Sequence, residues 1–179
     1  MASPFLVCGL PRSRTAWLAA FLSYDGAICG HELMADHRTP DRLTSYLLGS
    51  PTVFSGNSDT SQVLHIDALM QRLPGVKVLG VLRPVDQVLY ALKEIGIPLN
   101  PRQISPLVDG MERLLELERR SQDVLTVNWT DLDSEATCQK IVDFLTPGTW
   151  FDRDRWKLFN GLNIAVTPDR MVELQRLAN

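Results

Sequence analysis

The segment FLVCGLPRSRTAWL, residues 5–18, sets two arginines, a serine and a threonine in four consecutive positions directly behind an apolar run. The run ends on Gly9 and Pro11, which punctuate regular structure, and Trp17, Leu18, Phe21 and Leu22 then recur at helical spacing. A strand, a turn and the start of a helix therefore meet at Arg12, Ser13, Arg14 and Thr15. The first N–H groups of a helix lack acceptors and favour negative charge, whereas arginines beside them are unfavourable unless an anion lies between. The chemistry to expect is binding of a phosphate- or sulfate-like group by Gly9, Pro11, Arg12, Ser13, Arg14 and Thr15.

Other polar residues also follow apolar runs. Arg83 closes VKVLGVL and either takes part in binding or is a strand-end arginine paired with Asp86. His31 and Glu32 follow GAICG; Glu32 is the first choice for a general base and His31 the second, the alternative being that one of them caps the next segment. Asn57, Ser58 and Asp59 read as a turn, or Asp59 orients an acceptor, and Asn128 and Asp131 close the last run. His65 reads as structural and His37 as exposed. Trp129, Trp150 and Trp156 read as packing residues, with stacking on an adenine ring open to one of them.

A nucleoside-triphosphate loop reads GxxxxGK[ST], and here Cys8 and Ser13 occupy its glycines, Arg14 its lysine, and Thr15 alone fits. No strand-ending aspartate stands out as a magnesium ligand. The stretch GLPRSRTAWL instead resembles the 5′-phosphosulfate-binding loop of sulfotransferases, written PKSGTTW or PRSGTTW, through Pro11, Arg12, Ser13, Thr15 and Trp17. KVLGVLRPVDQVLYAL resembles that family's strand ending in an arginine that grips a 3′-phosphate, with Ala91 where a serine is expected. VLTVNWTDLDSEATCQKIVDFL is similar to its Tyr-Glu-Asp-Leu strand and following helix.

The resemblance implies a P-loop-like fold that binds 3′-phosphoadenosine 5′-phosphosulfate (PAPS) without metal. It places Arg12 between leaving phosphate and sulfuryl group, and Arg83 on the nucleotide. Several sulfotransferases resemble this chain in having a glutamate or histidine base where Glu32 and His31 stand. Arg14 replaces a loop glycine, Ala16 replaces a threonine, and the Arg-Lys-Gly loop of the animal cytosolic enzymes is absent.

These residues need elements to hold them. Strands are expected at PFLVCG, GAICGHE, PTVFSGNSD, VKVLGVLRP and DVLTVNW. Helices are expected at RSRTAWLAAFLSY, TPDRLTSYLLG, QVLHIDALMQRLPG, VDQVLYALKEIG, PRQISPLVDGMERLLELERRSQ, SEATCQKIVDFL and RDRWKLFNGL, and in a last helix capped at Thr167-Pro168. The alternation predicts a three-layer α/β/α, P-loop-like domain over residues 1–179, with a mainly parallel sheet of about five strands. In such sheets ligands lie outside the carboxyl ends of the strands, where the polar residues above gather.

A length of 179 residues, 45% hydrophobic content and 22% charge suit one globular domain. A net charge of −3 speaks against nucleic acid or anionic membrane as partner. The apolar runs are too short to span a bilayer and no secretory pattern opens the chain, so a cytoplasmic location is expected. The three cysteines, Cys8, Cys29 and Cys138, lie in apolar segments without ligand spacing, which predicts core thiols and no metal. Three functions remain in competition: a PAPS-dependent sulfotransferase releasing adenosine 3′,5′-bisphosphate, an ATP- and magnesium-dependent kinase with a variant loop, and a non-catalytic anion-binding protein. The acceptor of the first, a hydroxyl or an amine, is not specified.

Overall fold

In the computed structural model, which describes residues 2–162, the predicted runs form five strands: β1 (Ser3–Gly9), β2 (Ala27–His31), β3 (Phe54–Asp59), β4 (Lys77–Leu82) and β5 (Val124–Asn128). They make one sheet of order β2-β3-β1-β4-β5 with every pair parallel. β1 is central, which explains why Phe5–Cys8 is apolar throughout: side chains on both faces are covered. Phe5 and Val7 join one core with Trp17, Leu18, Ile141 and Val142, while Leu6 and Cys8 join another with Leu43, Leu69, Val88 and Leu114. A Cβ on Gly56 would collide with the Phe5 ring, so the β1–β3 contact requires glycine there.

Eight helices cover the two faces among the described residues: α1 (Thr15–Phe21), α2 (Leu33–His37), α3 (Pro40–Leu48), α4 (Ile66–Arg72), α5 (Val85–Glu94), α6 (Pro101–Glu118), α7 (Glu135–Leu145) and α8 (Arg153–Asn160). The architecture is the expected α/β/α sandwich around a five-stranded parallel sheet. Local chemistry sets several starts. Thr39 accepts a hydrogen bond from Arg42 N ahead of Pro40, Asn100 and Gln103 form a reciprocal capping box, and Asp152 accepts from two N–H groups of α8.

Three details differ from expectation. The run from Gln62 to Arg72 is not one helix: Ser61–His65 is a 3-10 turn and α4 follows it. The short helix α2 had not been expected, and Trp129 lies beyond β5, in a 3-10 turn, Trp129–Asp133. The helix expected at Thr167-Pro168 lies outside the described residues. No helix among the described residues is long and apolar enough to cross a membrane.

Candidate anion-binding site

The topology creates a crevice at one place on the sheet edge. After β1 the chain turns through α1 toward β2, and after β4 it turns the other way toward β5, so the loops following β1 and β4 diverge. Arg12 lies in the first loop and Arg83 in the second, and Arg83 Nη1 donates to the carbonyl of Arg12. A cavity of about 780 Å³ opens there, bordered by Arg12, Arg14, Thr15, His31, Glu32 and Arg83. Ala91, Leu92, Ile97 and Leu99 form an apolar wall.

The loop has its shape despite carrying arginines. Arg12 and Arg14 are both left-handed, with φ of 66° and 65°, a conformation that costs a residue with a Cβ about 1–2 kcal/mol. Ser13 N closes the turn onto Leu10 O at 3.1 Å, and Ser58 Oγ donates to Thr15 O at 2.8 Å. Gly9 lies beneath: a Cβ there would stand 3.3 Å from Ser13 Cβ and 3.4 Å from Thr15 Cγ2. Ser13 is fully buried and its Oγ has no hydrogen-bond partner.

The two arginines of the loop have separate surroundings. Arg12 engages no carboxylate among the described residues, whereas Arg14 Nη1 pairs with Asp133 Oδ1 at 2.6 Å and Nη2 reaches Asn160 Oδ1 at 3.4 Å. The Arg14 guanidinium lies 4.4 Å over the indole of Trp17. Arg83 makes no ion pair with Asp86; it stacks 4.1 Å over Trp129, and its Nε is buried without a partner. Removal from water, and then the nearby charge of Arg12, hold the Arg83 guanidinium below its ordinary pKa. Both pressures would be relieved by an anion placed between Arg12 and Arg83.

His31 and Glu32 come to the same cavity from β2. His31 Nε2 lies 3.4 Å from Thr15 Oγ1 and 3.9 Å from Glu32 Oε1. Glu32 is left-handed, with φ of 57°, and caps α2 by position but not by side chain. The geometry is imposed by β3: Glu32 N donates to Ser58 O, Leu33 N to Asn57 Oδ1 and Met34 N to Asp59 Oδ2. Asn57 and Asp59 are buried away from the cavity, and Asp59 also accepts from Ser61 N and Ser61 Oγ, each at 2.7 Å. They belong to strand β3, not to a turn as expected, and their place is beneath the Glu32 turn.

Asp133 and Asn160 are the site residues that sequence reasoning missed. Asp133 lies 119 positions from the arginine it pairs with, and only its place just beyond β5 marked it as near the ligand edge. Trp150 is exposed, and Trp156 packs against the core on the α7 side, so Trp129 is the tryptophan of that group that borders the cavity.

The sheet order, the flanking helices and the edge crevice together define a three-layer α/β/α protein with a ligand crevice at its switch point. No protein-family model matches the chain, and no curated protein sequence does. Among solved structures it is similar to the sulfotransferase domain from the Synechococcus PCC 7002 olefin synthase, at a TM-score of 0.54 and 14% identity, over 98% of this chain and 94% of that one. At that identity the likeness is one of fold.

Proposed function

We propose that the protein is a sulfotransferase, taking a sulfuryl group from PAPS to a hydroxyl or amine acceptor and releasing adenosine 3′,5′-bisphosphate. The observation that carries this reading is the convergence of Arg12 and Arg83, neither paired with a carboxylate among the described residues, at the crevice of a sulfotransferase-like fold. The residues present fit an anionic donor. Arg83 Nε is a buried polar atom without a partner at the cavity, which Arg12, Arg14 and Thr15 also border.

When bound, PAPS supplies a sulfuryl group on a phosphate leaving group. Arg12 neutralises charge that grows on that phosphate as the bond breaks, an effect strengthened where water is excluded. Arg83 fixes the nucleotide, its guanidinium kept flat by Trp129 and tied to the loop through the Arg12 carbonyl. Glu32 takes the proton from the acceptor, and His31, between Glu32 and Thr15, orients that carboxylate or shares the proton.

The contacts of Asp59 support this reading over an ATP- and magnesium-dependent kinase. Asp59 ends β3, the strand next to β1, where a magnesium-binding carboxylate would be useful, but it is buried and committed to Met34 N, Ser61 N and Ser61 Oγ. A non-catalytic role would draw on Ala91, which lies in the apolar wall and offers no hydroxyl to a second phosphate.

The test is Glu32→Gln. The variant should bind adenosine 3′,5′-bisphosphate as the parent does while release of that product from PAPS, with an amine or phenol acceptor, falls by about a hundredfold or more. Full transfer activity in the variant would remove Glu32 from the mechanism.

A further inference from the structure

The 3-10 turn Trp129–Asp133 touches two of the arginines at the cavity: its first residue stacks on Arg83 at 4.1 Å, and its last pairs with Arg14 at 2.6 Å. The Asp133 carboxylate is largely exposed, at 68% of its side-chain surface, while the Arg14 side chain is 19% exposed. Arg14, its partners Asp133 and Asn160, and Trp17 beneath it all border the same cavity as Arg12 and Arg83. A partly buried arginine is thus held by a carboxylate that could leave it for water at small cost.

We propose that Asp133 is an internal counter-ion that competes with the ligand for Arg14. This rests on the anion-binding part of the sulfotransferase reading, but not on sulfuryl transfer. In the ligand-free cavity Asp133 balances Arg14 and adds its own negative potential to the entrance. An anion with one charged group that stays on Arg12 and Arg83 leaves the Arg14–Asp133 pair intact and does not bear the cost of breaking it. A ligand with two or more negative charges in a row can engage Arg12 and Arg83 with one group and draw Arg14 from Asp133 with the next, releasing the aspartate to solvent. An exposed pair of this kind is weak enough for exchange, because water and salt screen it from the Asp133 side. Arginine suits the role because its planar fork accepts a carboxylate or an oxyanion in the same geometry while remaining over the indole.

The competition is measurable with inorganic pyrophosphate and inorganic sulfate as probes, titrated calorimetrically into the full chain and into Asp133→Asn. The exposed position of Asp133 lets this variant fold. Pyrophosphate should bind the variant about three- to tenfold more tightly than the parent. Sulfate, a single oxyanion group that can stay on Arg12 and Arg83, should gain by a smaller factor, and a larger gain for sulfate than for pyrophosphate would also overturn the proposal. Asp131→Asn, which removes the same charge from the same turn at a residue hydrogen-bonded to Asn128 instead, should change either affinity less than twofold. In an Arg14→Gln background, Asp133→Asn should lose most of its effect.

Unchanged or weakened pyrophosphate binding in Asp133→Asn overturns the proposal while leaving the anion site in place. An equal gain in Asp131→Asn also overturns it, since net charge alone would then be the cause. Absence of pyrophosphate binding in both parent and Asp133→Asn would take the anion site down with it.

Discussion

Replacing Arg83 by alanine separates a working anion site from a decorative one. Arg83 has a guanidinium that stacks on Trp129, donates to the Arg12 carbonyl and keeps its Nε buried without a partner. A hydrogen bond from a charged donor is worth about 1.5–3 kcal/mol, and about 1.4 kcal/mol is tenfold in affinity. Arg83→Ala should therefore weaken binding of adenosine 3′,5′-bisphosphate by about tenfold to a hundredfold. The lower half of that range is expected, because the variant also relieves the repulsion between Arg83 and Arg12, which, after burial, helps hold the Arg83 pKa down. Arg83→Lys should recover only part of the loss: it restores a charge, but not a planar fork that can stack on Trp129 and hold the loop carbonyl together. The assay is calorimetric titration at low and moderate salt, with the variant's urea midpoint as a check on folding. An affinity within threefold of the parent, in a folded variant, would refute the role assigned to Arg83.

Two further outcomes are expected. Asp59→Ala should lower stability to urea by at least about 2 kcal/mol, since it leaves the N–H groups of Met34 and Ser61 without acceptors, and Asp59→Asn should cost less because one acceptor remains; an Asp59→Ala midpoint equal to the parent's would contradict the account of the Glu32 turn. Burial raises the thiols of Cys8, Cys29 and Cys138, the last to about 11 from an ordinary 9.0. Unfolded thiols ionise first as pH rises, so the unfolded state then binds fewer protons than the native one. Stability should be unaffected by these groups below about pH 9 and should fall from pH 9 toward 11, measured as the urea midpoint across that window; a midpoint constant to pH 10.5 would be inconsistent with buried, protonated thiols.

The parts of the fold that can be read along the chain are those whose cause is local. β1 and β4 are apolar on both faces, and Thr39-Pro40 and Asn100 cap the helices that follow them. The strand order is not local, and neither is α2: its five residues LMADH carry little periodic signal, and its first N–H groups are satisfied by Asn57 and Asp59 of β3. The split between the 3-10 turn Ser61–His65 and α4 is hidden because apolar residues recur through both. At the site, the residue types at Arg12, Ser13, Thr15 and Arg83 announce an anion, but the left-handed backbone at Arg12 and Arg14 does not, since arginine is no signal for positive φ. The pairing that sets Arg14 apart from Arg12 is not legible either, since Asp133 and Asn160 belong to segments far along the chain.

The most direct measurement for the central claim is calorimetric titration of the full chain with adenosine 3′,5′-bisphosphate and, separately, with ATP plus magnesium. Arg12 and Arg83, together at the cavity, predict that the bisphosphate binds without metal and that ATP with magnesium binds more weakly. Binding of ATP only with magnesium, and none of the bisphosphate, would contradict a sulfotransferase-type nucleotide site.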